Sequence, residues 1–78
     1  MEKTNNMSSE RIGRLVSEAK AHGERAFNSG LMCVPAHDPT FWIFFLATSP
    51  TVTADEALNL LEAWLHGWTK ANLAAPVI

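Results

Sequence analysis

The sequence predicts an all-α fold: a small three-helix domain with two long antiparallel helices, over about residues 9–29 and 54–72, and a short apolar helix over about 39–47 between them. Three observations predict it. Two stretches carry apolar residues at three- and four-residue spacing. Helix start and stop signals bracket those stretches. No stretch alternates apolar and polar residues as a half-buried strand does.

Residues 1–7 read as a flexible polar tail, and 8–78 as a single helical domain. Ser8 is the expected N-cap of the first helix, with Met7 and Ile12 as a hydrophobic staple. Ile12, Leu15, Val16, Ala19, Gly23, Ala26 and Phe27 then form one stripe. Glu10–Arg14, Arg14–Glu18 and Lys20–Glu24 are i,i+4 pairs beside it. Gly30 is the stop signal, free to adopt the left-handed conformation after a helix. Gly23 costs helix propensity on the apolar face, so it is read as a point of close approach.

A loop follows, containing Cys33, Pro35 and His37. Asp38-Pro39 opens the second helix, Asp as N-cap and Pro at the first helical position. The run at 41–46, Phe-Trp-Ile-Phe-Phe-Leu, is apolar on every side. Its residues are also strand-prone, which leaves a strand reading open there. The Asp-Pro opening favours a helix that closes one end of the domain or meets a second copy. Thr53-Ala54-Asp55-Glu56 is a capping box for the third helix. Leu58, Leu61, Leu65 and Trp68 form one edge of that helix, widened by Ala57, Leu60, Trp64 and Ala71. Gly23, Ala26, Phe27, Gly30, Trp64, Leu65, Gly67 and Trp68 are the expected helix-packing residues.

Composition narrows the function. One cysteine, Cys33, leaves no internal disulfide and no C-x-x-C pair; a free thiol fits a reducing compartment, so the expected location is cytoplasmic. Residues 1–6 lack an apolar signal core, and the 41–47 run is far shorter than the roughly 20 residues of a membrane span. Net charge is −2, and no Lys or Arg occurs between Arg25 and Lys70, unlike the basic stripe of a nucleic-acid binder. His22, His37 and His66 share no ligand spacing, which argues against a metal. Cys33 near His37 is read as a buried packing residue or a bystander thiol in the loop. The glycines are isolated, so no phosphate loop is formed. No catalytic residue, cofactor or metal site is expected.

Ala21-His22-Gly23-Glu24-Arg25-Ala26-Phe27-Asn28-Ser29-Gly30, the Asp38-Pro39 turn, and Ala63-Trp64-Leu65-His66-Gly67-Trp68 together resemble the ribosome modulation factor family and related small fluoroquinolone-phosphorylating proteins. The match spans about residues 21–71 and is gapped by the inserted aromatic run. The resemblance implies a two-helix core and, by family, either ribosomal RNA binding or a phosphotransferase activity. Ribosomal binding would use Arg11, Arg14, Lys20 and Arg25, but this chain is acidic where that family is basic. The expectation is therefore a small non-enzymatic regulator on that fold. It would bind a larger protein or complex, or a second copy as a homodimer, through Phe41, Trp42, Phe44 and Phe45. A ribosome-associated factor is the alternative and an antibiotic-modifying phosphotransferase the second alternative.

Overall fold

The computed structural model describes residues 2–75, with side chains described from residue 9 onward. Three α-helices form, α1 (Glu2–Asn28), α2 (Pro39–Thr48) and α3 (Ala54–Ala74), linked by short 3₁₀ turns at Pro35–His37 and Ser49–Thr51. There is no strand among the described residues, so the 41–47 run is helix and the all-α class stands.

α1 begins at Glu2, well before the expected start at residue 9. Ser8 therefore lies inside the helix and does not cap it. No Gly or Pro interrupts residues 2–12, and a helix nucleated on the Ile12–Phe27 stripe extends through such a stretch at little cost. The Met7–Ile12 staple falls on a side chain outside the described set. At the other end Gly30 has φ +83°. The Leu31 N–H donates to the Ala26 carbonyl (2.9 Å) and the Gly30 N–H to that of Phe27 (3.0 Å), the two bonds of a Schellman cap.

α2 is capped by Asp38, whose Oδ1 accepts from the Phe41 N–H at 3.2 Å. α3 opens with the predicted capping box. The Glu56 N–H donates to Thr53 Oγ1 (3.1 Å), and the Thr53 N–H donates to Glu56 Oε1 (2.8 Å). It runs to Ala74, two residues past the expected end.

The long helices are parallel, not antiparallel. Moving up α1 from Arg11 through Gly23 to Phe27 also moves forward along the later chain, from Thr51 through Trp64 to Trp68. The reason is α2. It runs back down beside the pair and does not close one end. Its first turn lies at His22 and Trp64, and the turn after it lies at Arg11. Ten residues span about 15 Å, close to the roughly 16 Å between Arg11 and His22 on α1. The chain thus runs up, down and up.

α1 and α3 meet through small residues. A Cβ on Gly23 would collide with the Trp64 carbonyl, and one on Gly67 with the Lys20 carbonyl. The two glycines are reciprocal, each opening room for the other helix's backbone. Ala19, Ala26 and Ala63 are buried beside them, and Trp64, Phe41 and Leu60 are the largest fully buried side chains.

Candidate functional site

The interior leaves α2 unevenly covered. Phe41 is fully buried, with its ring centroid 6.1 Å from that of Trp64 and 5.8 Å from that of His22. It is therefore a core residue and cannot contact a partner, contrary to expectation. Trp42, Phe44 and Phe45 pack against the core but remain half-exposed. Trp42 stacks on Phe45, centroids 5.0 Å apart, while Phe44 lies over His22 at 5.3 Å. Facing outward are Ile43, 72% exposed, and Leu46, 56% exposed. These two were part of the predicted run but were not singled out. The Asp38 cap sets where α2 begins but not which side faces inward; with Phe41 turned inward, Ile43 and Leu46 stand outside.

α3 extends this surface. Leu61 packs against the core, and Leu58 and Leu65 sit beside it, three and four residues away on the same edge. Both are exposed, Leu58 at 55% and Leu65 at 37%, so Leu65 is not the packing residue expected of it. Gly30 likewise serves as a cap and packs nothing. No ionisable side chain occurs from Pro39 to Ala54. The result is an uncharged face made of Ile43, Leu46, Trp42 and Phe45 from α2 and the Leu58–Leu65 edge of α3.

Buried polar groups hold α2 in place. Asp38 is buried and uses both carboxylate oxygens. While Oδ1 caps α2, Oδ2 accepts from the Trp64 indole N–H at 2.9 Å. Trp68 donates its indole N–H to the Leu31 carbonyl at 2.9 Å and packs edge-on against Phe27 at 5.2 Å. The Trp-Gly-Trp segment therefore locks the helices and the connecting loop together. At the far end of α2, Arg11 donates to Thr51 Oγ1 (2.6 Å), which donates to the Thr48 carbonyl (2.7 Å).

His22 is buried between α1 and α2. Arg25 Nη2 lies 3.0 Å from its Nδ1. A guanidinium can only donate, so Nδ1 accepts and the imidazole is neutral. Burial and then the Arg25 charge hold the His22 pKa below its ordinary value, against weaker upward pulls from Asp38 and Glu18.

The four proposed phosphate-contacting residues are not gathered. Arg11 and Arg25 flank the two ends of α2 on the α1 side, and Arg14 shares that side of α1. Lys20 lies on the opposite side, lining a shallow cleft of about 540 Å³ with His66, Thr69, Lys70 and Leu73. There Lys70 pairs with Glu24 at 3.6 Å, so Glu24 faces α3 and not Lys20. Cys33 and His37 are exposed in the loop. Among the described residues no group of three or more His, Cys, Asp or Glu converges as a metal site, and no helix is long and apolar enough to cross a membrane.

No family model, curated protein or solved structure matches the chain.

Proposed function

We propose that this chain is a small non-enzymatic regulatory protein that acts by binding another protein through the α2–α3 face. One observation carries the reading: Ile43 and Leu46 stand 72% and 56% exposed on a helix without a single charged side chain. Soluble monomers rarely leave a contiguous apolar surface open unless something covers it. Half-buried Trp and Phe beside exposed aliphatics are also the usual anchors of protein interfaces. The free thiol accords with action in a reducing, cytoplasmic setting.

Photo-crosslinking tests this. A benzophenone side chain at Ile43 or Leu46 in host cells is expected to yield protein adducts on irradiation, and the same group at exposed Asn59 none. Absence of any adduct from both α2 positions overturns the reading.

A ribosomal role is the second reading, favoured by Arg11, Arg14 and Arg25 lying along one side of α1. The residues that carry the ribosome-modulation-factor resemblance support kinship of fold more than of contact. Gly23, Gly67, Trp64 and Trp68 are occupied in packing and hydrogen bonds within the chain. Sedimentation with ribosomes on sucrose gradients, weakening steeply with salt, would support it; absence at low salt would remove it.

A further inference from the structure

The two ways the helices are joined differ in kind. α1 and α3 meet backbone to backbone at Gly23 and Gly67. α2 is joined to that pair through side chains. Phe41 fills the interior, Asp38 ties the start of α2 to Trp64, and Arg11 reaches the Ser49–Thr51 turn. A further attachment is His22, one residue from the Gly23 contact. Its ring lies against both Phe41 and Phe44, centroids 5.8 and 5.3 Å away, and the residue is only 7% exposed.

The charges that act on this ring come from α1 and the loop. Arg25 and Glu18 stand on α1 with it, and Asp38 precedes α2. α2 carries no ionisable side chain, and no charge on α3 acts on the ring. Arg25 Nη2, 3.0 Å from Nδ1, needs an acceptor there. Asp38 already accepts with both oxygens, from the Phe41 N–H and the Trp64 indole. Turning it toward a charged imidazole would break one of those bonds.

We infer that His22 is an acid-sensitive latch: when its imidazole takes up a proton, α2 swings away from the α1–α3 pair, tethered by the turns on either side. Protonation makes Nδ1 a donor facing a guanidinium that can only donate. It also sets two positive charges side by side in a site closed to water. Arg25 can turn outward, yet that leaves the imidazolium enclosed by Phe41 and Phe44 and short of hydrogen-bond partners. The ring must then reach water. α1 cannot carry it there, because Gly23 beside it is wedged against the Trp64 backbone. α2 is the element free to yield. Burial first and Arg25 second hold the pKa of His22 below 6.5. The open form therefore takes the proton more readily, so α2 is latched above pH 6.5 and loosens as pH falls through the folded value. Opening uncovers Phe41, otherwise fully buried, and enlarges the apolar surface in acid. These contacts, and not the reading of the α2–α3 face, carry the inference, so the two fail separately.

Amide hydrogen exchange of the pure full-length chain between pH 7.5 and 5 tests this, each rate divided by its random-coil value at the same pH. An undocked helix of ten residues is too short to hold its own hydrogen bonds in water, so opening shows as exchange. Protection over residues 43–48 is expected to fall by about threefold or more, while that over residues 60–68 of α3 stays level. The fall should follow the NMR titration of the His22 ring and not those of His37 and His66. In His22→Asn the amide oxygen can still accept from Arg25 but takes up no proton, so protection of α2 should no longer change with pH. Arg25→Met should make the fall smaller, because the folded pKa then lies closer to 6.5. Level protection of α2 in the native chain overturns the inference, as does an equal fall in His22→Asn. An equal fall in all three helices overturns it too, since acid would then unfold the whole chain. Should His22→Asn fail to fold, the native chain alone decides: a fall that follows His37 or His66 rejects the latch.

Discussion

The α1–α3 seam and the outer side of α2 are built from opposite materials. At the seam the side chains are nearly absent: Gly23, Gly67, Ala19, Ala26 and Ala63 let two backbones approach until no extra carbon fits. On α2 the side chains are large and apolar, yet Trp42, Phe44 and Phe45 stand half in water and Ile43 and Leu46 mostly so. Small residues are normally weak contributors to a core, while Phe, Trp and Ile bury the most area. Here the small ones close the seam, while several large ones on α2 are left over. The difference separates two roles. The seam is complete within one chain, whereas the α2 surface gains its full burial only when something covers it.

The seam gives the largest expected effect. Overpacking a tight contact costs about 1–3 kcal/mol, and more where backbone must move. In Gly67→Val the Cβ already overlaps the Lys20 carbonyl, and two further methyl groups follow. The loss should exceed about 4 kcal/mol, close to the whole stability of a small domain. Circular dichroism and urea denaturation should find the variant largely unfolded. A cooperative, near-native transition would mean that the seam is not closed, and the contrast with α2 would fail.

Trp64 comes next, because it joins the two regions. Trp64→Phe keeps an aromatic ring against Phe41 but removes the donor to Asp38. The carboxylate oxygen left buried without that partner costs about 1–3 kcal/mol, and the lost ring volume adds a cavity. A fall of about 2–4 kcal/mol in urea denaturation is expected, with helix content retained. Adding Asp38→Asn to Trp64→Phe should restore little, since the amide nitrogen that replaces one carboxylate oxygen is itself left buried without a partner.

These residues show what was legible in the sequence. The two long helices, the Asp38-Pro39 opening, the Thr53–Glu56 capping box, Gly30 and the role of Gly23 and Gly67 could all be read from local spacing. The parallel course of α1 and α3 could not. It depends on α2 lying beside the pair, a tertiary choice that an all-round apolar segment does not encode. For the same reason Phe41 could not be told from Ile43, nor Leu60 from Leu65, within unbroken or widened apolar stripes. The second bond of Asp38, to a ring 26 residues away, had no local signal at all. The start of α1 was missed because a polar stretch with no Gly or Pro reads equally as a tail or as an extended helix.

His22 provides a smaller, pH-dependent test of how α2 is seated. Its folded pKa lies below the ordinary 6.5, first through burial and then through Arg25. The unfolded chain therefore binds the proton more readily. The contribution of neutral His22 is fully present above pH 6.5 and is lost as pH falls through the folded value. Urea midpoints between pH 7.5 and 5 should fall in the native chain by more than in His22→Phe, where no proton is taken up. Equal falls in both would mean that the carboxylates around it, and not the imidazole, set the acid response.

Gly13 should give the smallest effect and the opposite sign. It lies ten residues before Gly23 on the same helix, yet a Cβ there would meet nothing within 4 Å. Gly13→Ala removes backbone freedom from the unfolded chain and raises helix propensity, so a gain of about 0.5–1 kcal/mol is expected. On α1 it also points away from the α2 side, so the gain should not depend on protein concentration. Urea denaturation at two concentrations tests both statements. A loss instead of a gain would mean that this side of α1 is also covered, and that the closed surface of the molecule reaches beyond the seam.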